Sequence, residues 1–263
     1  GTYVLNAHKA YITFGSQCEV CIVFARTNPD VGRWGISAFV VPDGTPGLII
    51  EPPYDKLGWH ASDTHGITLD DCRVPADNML GEPGAGFRNF LAILDDGRIA
   101  ISALALGCAR AALEMSVEYA RDRHAFGRPI GANQGLAFQL SDLAVKVENA
   151  RNLTYKAAWL KDSGRPIGQA AAMAKLYSTE AAMDAVRTGT QVFGGMGFME
   201  ETPMARFYRD AKILELYEGT REIEKVIIGI YSNGNGFDVA DHFHRNGNII
   251  VIFQLHDQVK HGR

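Results

Sequence analysis

The chain has 263 residues, a 46 % apolar fraction and a formal net charge of −4. That is enough for about two domains of roughly 100–200 residues each and for a sizeable core. Acids and bases are interspersed, which argues against nucleic acid or an anionic membrane as the main partner, and no run of about 18 apolar residues offers a membrane span. Four cysteines are too few for a disulfide scaffold of this size, so a soluble protein of a reducing compartment is expected. The chain opens on Gly1, without an initiator Met and already inside a strand pattern; a fragment is therefore expected, from which a targeting segment could be missing.

Residues 1–82 read as β. "TYVLN" and "KAYITF" flank a tight turn at Asn6, Ala7 and His8. "EVCIVFAR" and "WGISAFVVP" flank the turn-rich "TNPDVGR", and "LIIE" and "HGITLDD" follow. Strands at this spacing predict a small antiparallel barrel or sandwich. Cys18 and Cys21 have C-x-x-C spacing but lie in a strand pattern. No second pair or nearby His completes a zinc set, and no helix follows as thioredoxin-like chemistry requires, so no metal site is expected.

The texture changes near "GEPGAGF". Phe87, Phe90, Leu91 and Leu94 recur at helical spacing, and the pattern runs to about Arg121. The loop "DRHAFGRPIGANQ" carries Gly127, Pro129 and Gly131, which break helices. Leu136, Leu140, Leu143, Ala144 and Val147 mark a second helix, and Met173, Leu176, Tyr177 and Ala181 a third, ending at "FGGMG". After a short helical piece around 203–214, Ile223, Val226, Ile227 and Ile230 mark the last. Residues 83–231 thus predict an up-down four-helix bundle, making the chain α+β. Residues 232–263 form an atypical tail: "NGNG" breaks the last helix, and "HFHRNGN" and "IIVIF" follow. His242 and His244 lack an acid or Cys to complete a metal set, and a loosely attached tail is expected.

The stretch "ELYEGTREI" carries the chemistry. Thr220 is a good N-cap for the last helix, with Glu222 and Glu224 in its first turn. Glu218 sits two residues earlier, at a positive helix end whose outward N–H groups stabilise an anion. Such a carboxylate is either a surface acid interacting with the helix dipole or a base beside an oxyanion site, as proton abstraction next to a carbonyl requires.

The wider pattern favours the base. "QVFGGMGFMEETPMARFYRD", "LYEGT", "YARDRHAFGRPI" and "ILDDGR" together resemble the C-terminal signatures of the acyl-CoA dehydrogenase family. Gln191, Gly194, Gly195, Gly197, Phe198, Glu201, Arg206 and Asp210 stand at the family's spacing. "KAYIT" and "DDCRVPADNMLGEPGAGF" resemble its β segment and the exit from it, so the likeness covers residues 1 to about 230. It implies that Glu218 is the catalytic base, removing the α-proton of an acyl-CoA thioester while the β-hydrogen leaves as hydride to FAD, giving a trans-2-enoyl-CoA. It also implies that the thioester oxygen is held by the backbone N–H of the base and by a flavin ribityl hydroxyl, and that Gly219 lets substrate approach closely. Thr220 and Glu222 match FAD contacts, as do Phe126 and Gln134. Arg123 matches an arginine reaching the FAD pyrophosphate of a neighbouring subunit. Gln191 and Gly195 resemble adenosine-side contacts across a dimer interface. Asp95 and Arg98 match a CoA-contacting pair, Tyr11 stands where the family usually has Trp against the flavin, and Thr13 where its Thr bonds near N5.

The family's N-terminal helical domain and the flavin-cradling loop before "TYVLN" are not in these residues, and the tail also departs from the pattern. The resemblance therefore implies the middle and C-terminal domains of an FAD-dependent acyl-CoA dehydrogenase of short- or medium-chain type. FAD is expected in a cleft between the two domains, completed by a second subunit. Further implications are a homodimer or homotetramer, electron-transfer flavoprotein as acceptor, a role in fatty-acid β-oxidation, and a mitochondrial matrix or bacterial cytoplasmic location. Two rivals stay open. One is a flavoenzyme passing electrons to oxygen, either an acyl-CoA oxidase or a monooxygenase, although the monooxygenases need no carboxylate base. The other is a catalytically silent FAD- or CoA-binding oligomerisation fragment.

Overall fold

The computed structural model describes residues 1–232 and the short strand 260–262; most of the expected tail, with His242 and His244, lies outside the described residues. The chain divides into two compact units, with the division falling between Ile93 and Leu94.

The first unit is built on antiparallel strands: β1 (Thr2–Thr13), β2 (Val20–Arg26), β3 (Ile36–Pro42), β4 (Leu48–Pro53), β5 (Thr64–Pro75) and the two-residue β6 (Met79–Leu80). β4, β5 and β1 form one sheet, with the short strand Lys260–Gly262 beside β1, and β2, β3 and β6 form the other. Strand alternation sends Leu5 from β1 and Leu69, Cys72 and Val74 from β5 into the same core as Ala25, Phe39 and Val41 from the second sheet. The sheets thus close over one apolar layer as a sandwich; among the described residues no barrel is closed. Tyr3 packs on Phe39 with ring centroids 4.9 Å apart. Val41 is fully buried, so Val41→Ala should destabilise the chain by about 2 kcal/mol, measured by chemical denaturation.

The turn expected at Asn6 to His8 does not form. β1 runs unbroken beside the equally long β5, and the register shifts between Leu5 and Ala7 instead. Asn6 bridges that irregularity, donating from Nδ2 to Asp71 Oδ1 at 3.0 Å and accepting from the Asp71 N–H at 2.7 Å. Its polarity therefore serves a bulge, not a reversal. A second shift, between Lys9 and Ile12, contains Tyr11 at φ 60°.

Among the described residues five α-helices follow: α1 (Gly86–Asp122), α2 (Gln134–Asp162), α3 (Gly168–Phe193), α4 (Pro203–Leu214) and α5 (Arg221–Ser232). None among the described residues is long and apolar enough to cross a membrane. α2, α4 and α5 pack on α3. Its buried face is made of small residues, including Ala171, Ala172, Ala182 and Ala185, which lets neighbouring backbones approach closely. Met204 and Leu214 from α4 and Ile227 from α5 fill the remaining space. Buried hydroxyls on these helices return to the carbonyl four residues earlier, as Ser116 does to Ala112 and Thr179 to Lys175.

The glycine-rich stretch after α3 has a structural reason. Gly194 caps the helix at φ 59°, and a Cβ on buried Gly197 would stand 2.4 Å from the Thr190 carbonyl oxygen. Between α1 and α2, His124–Ala125 pairs with Arg128–Pro129 in a two-residue ladder, turned at Phe126 and Gly127, both at positive φ.

Candidate active site

Six residues, 215 to 220, join α4 to α5. Glu215 at their start is buried and held by Lys212 at 2.6 Å and Arg221 at 3.5 Å. The backbone then takes two left-handed residues in succession, Glu218 at φ 54° and Gly219 at φ 107°. For a non-glycine residue that conformation is unfavourable and persists only where surrounding contacts fix it.

Glu218 is no freely solvated acid. It is half-buried, and its carboxylate lies over a position of α1 that has no side chain: a Cβ on Gly97 would stand 2.5 Å from Glu218 Oε2. Burial raises its pKa above the ordinary carboxylate range, opposed by the positive charges of Arg98 and Lys175. Its charge in turn adds to burial in pushing the Tyr217 phenol up to about 12.

Beneath this carboxylate the structure gathers further charges. Arg98 is 5 % exposed and spans two carboxylates, with Nη1 to Asp95 Oδ1 at 2.6 Å and Nε to Glu224 Oε1 at 3.1 Å. Asp95 and Arg98, one helical turn apart, are thus joined as their spacing suggests, but the arginine is committed inward. Glu224 is fully buried, and burial carries its carboxyl up to about 7 against the pull of Arg98 and Lys175. The Thr220 carbonyl accepts from the Glu224 N–H at 3.0 Å; the Thr220 hydroxyl takes the Ile223 N–H at a long 3.5 Å, a weak cap. Glu222 is exposed, its carboxyl held below the usual range by its own N–H and the Thr220 hydroxyl.

A second place collects other expected residues. Arg123 and Gly195 line a pocket of about 600 Å³ together with Tyr119, Ile130 and Phe193. Tyr119 stacks on Phe193 with centroids 4.2 Å apart, and Cβ atoms added at Gly194 and Gly195 would meet open space. Gln191 is exposed at the end of α3, Gln134 is exposed at the start of α2, and Phe126 projects fully into solvent; none of the three lines this pocket. In the β unit Tyr11 is 73 % exposed and tilted against Tyr54 at 5.3 Å, with Thr13 exposed two residues on. Cys18 and Cys21 bring their sulfurs to 3.3 Å. Among the described residues no group of three or more His, Cys, Asp or Glu is placed to hold a metal.

Sequence reasoning passed over Lys175 and the inward position of Glu224. Glu224 read only as a first-turn acid, although it lies three residues before the buried Ile227 and so on the inward face of α5. Lys175 carried a comparable signal, a lone cation on a face spaced by Ala171, Ser178 and Ala182.

Comparison with known proteins gives a consistent outcome over both units. Residues 84–230 match the family model for the acyl-CoA dehydrogenase C-terminal domain, and residues 1–72 match that for the middle domain. The chain is 47 % identical over 227 residues to the mitochondrial short-chain specific acyl-CoA dehydrogenase of Rattus norvegicus, covering 86 % of this chain and 55 % of that protein. The structure of butyryl-CoA dehydrogenase from Megasphaera elsdenii superposes with a TM-score of 0.86 at 45 % identity, over 88 % of this chain and 61 % of that one. A prolyl acyl carrier protein oxidase also superposes at 0.86, with 35 % identity over 88 % of this chain and 61 % of the oxidase. The chain therefore spans between half and two thirds of the length of these relatives.

Proposed function

The chain belongs to the acyl-CoA dehydrogenase family, and we propose that the complete protein is an FAD-dependent short-chain-type acyl-CoA dehydrogenase whose base is Glu218. The observation that carries this reading is the placement of Glu218. A half-buried carboxylate seated over Gly97, its pKa raised by burial and held back by two cations, is suited to take a proton from carbon.

Glu218 takes the α-proton of the thioester. The N–H end of α5 supports the negative charge that develops on the thioester oxygen, and we assign Gly219 to the backbone that the acyl group meets, on the side away from Glu224, which fills the space of its missing side chain. FAD, when bound, supplies the acceptor for the β-hydrogen as hydride, and the product is the trans-2-enoyl thioester. The pocket at Arg123 fits the phosphate-bearing end of such a cofactor: it offers a guanidinium, an aromatic wall in Tyr119 and Phe193, and open backbone at Gly194 and Gly195. We assign Phe126, Gln134 and Gln191, all exposed, to cofactor contacts made in an oligomer, and Tyr11, Thr13, Thr220 and Glu222 to the flavin. Arg98, committed inward, supports the base loop, and we assign the more exposed Asp95 to the CoA side of the pair. Electron-transfer flavoprotein is the acceptor in this reading, in a mitochondrial matrix or bacterial cytoplasm.

The likeness to an acyl carrier protein oxidase favours one second reading, in which oxygen takes the electrons. Both are tested on the purified complete protein by its flavin spectrum. Anaerobic addition of butyryl-CoA should bleach the flavin, and re-oxidation should follow electron-transfer flavoprotein without peroxide release. Stoichiometric peroxide would favour the oxidase, and a colourless protein that takes up no FAD would overturn both.

A further inference from the structure

Proton abstraction, as just described, leaves unexplained why a lysine is buried under the base. Lys175 on α3 is fully buried, among small residues of the core-facing side. A lysine is almost never found so enclosed unless it is paired. Its ammonium donates to the carbonyl oxygen of Gly219, inside the left-handed pair formed by Glu218 and Gly219. From another side Glu224 closes on the same glycine: a Cβ there would stand 2.4 Å from Glu224 Oε1 and 3.6 Å from Arg98 Nη2. Glu224 Oε2 is buried with no hydrogen-bond partner among the described residues. The charged groups facing Lys175 are Arg98 and, behind it, Asp95 from α1, Glu224 from α5, and Glu215 and Glu218 from the joining segment. Glu215 is already matched by Lys212 and Arg221.

We propose that Lys175 is a positioning residue for Glu218: by holding the Gly219 carbonyl from below, it fixes the strained turn from which the base projects and sets a positive charge under its carboxylate. The inference deepens the reading of Glu218 as the base and rests on it. A left-handed non-glycine residue persists only when its neighbours over-determine it, and Lys175 and the Arg98–Glu224 pair supply that determination from α3, α1 and α5. The charge has a second effect, since Lys175 and Arg98 both oppose the upward shift that burial imposes on Glu218. Burial brings Lys175 itself down to about 8, so the anchor is charged at neutral pH and is lost in alkali.

The test is made on the complete holoprotein carrying ¹³C-labelled glutamate, with the Glu218 signal assigned by its loss in Glu218→Gln. Lys175→Met should raise the Glu218 pKa relative to the parent and lower kcat roughly 10- to 100-fold with little change in KM, as a small misplacement of a catalytic group does. Lys175→Arg should recover part of both. An unmoved Glu218 titration in Lys175→Met overturns the proposal. If Lys175→Met does not fold, the parent decides alone: its Glu218 signal should show a second inflection near the lysine titration at about 8, and a single inflection overturns the proposal. These titrations do not depend on turnover. Active Glu218→Gln protein would sink the assignment of the base while leaving the coupling of Lys175 to Glu218 intact.

Discussion

Replacing Glu218 by Gln should lower turnover of acyl-CoA by roughly 10²- to 10⁴-fold, the range of a positioned general base, while FAD uptake and the fold are retained. The amide is nearly isosteric with the carboxylate, so it can occupy the same space above Gly97. What it lacks is a site to accept a proton from carbon. The left-handed conformation at 218 comes no harder to Gln than to Glu, so the backbone has no reason to move. The parent should also show an acid limb. A base works ionised, and burial raises the Glu218 pKa, so kcat/KM should climb with pH through a value above that of an exposed glutamate. The limb should vanish from any residual activity of the Gln variant. Steady-state rates across pH, set beside the flavin content of each preparation, check both points; undiminished turnover with full flavin would remove Glu218 from the mechanism.

Much of this arrangement was legible in the residues, and what was hidden shares one cause. The change from period 2 to helical period near residue 84 separates the strands from the helices, because each period reports how one element meets its core. The place of Glu218 just ahead of α5 was legible as well, since a capping Thr and first-turn acids fix where that helix begins. The false turn at Asn6 arose because a polar residue inside a strand has two uses, reversal or bulge, and only the partner strand decides; here Asp71 on β5 does. The inward face of α3 was misjudged for a related reason. Ala181 is buried as its spacing suggests, but Met173, Leu176 and Tyr177 are only partly buried, while most of the buried positions are Ala, Gly, Ser and Thr. In a closely packed helix pair the interior favours small volume over hydrophobicity, and large apolar residues are left at the margins. Lys175 and Glu224 were hidden because their meaning lies in one another, across α3, α5 and α1, at no spacing a single helix could reveal.

Replacing Arg98 by Met should destabilise the protein by about 3–5 kcal/mol at neutral pH, the loss expected when one partner of a buried ion pair is removed, and the loss should shrink in acid. Methionine approximates the volume of the arginine stem, so packing changes little; what disappears is the guanidinium between Asp95 and Glu224. The pH dependence follows from the parent. Burial lifts Glu224 from 4.5 to about 7, so between those values the folded chain holds a proton that the unfolded chain has released. That proton's contribution is fully present below about 4.5 and is lost as pH rises to about 7. Asp95 is shifted in the same direction, again by burial. Arg98 opposes both shifts, so its removal pushes both carboxyls further up and extends the falling limb of stability toward higher pH. The variant should therefore approach the parent near pH 4.5, where the folded-state Glu224 binds its proton, and fall furthest behind it above pH 7. Denaturant titrations at several pH values measure this. A deficit of equal size at every pH would mean that Arg98 acts through packing alone. Arg98→Lys should recover only part of the loss, because a single ammonium cannot reach two carboxylates with the fixed fork of a guanidinium. Glu224 also crowds Gly219, so whatever stability this pair lends is delivered at the turn that carries Glu218, the proposed base, and the same variant should lose turnover along with stability.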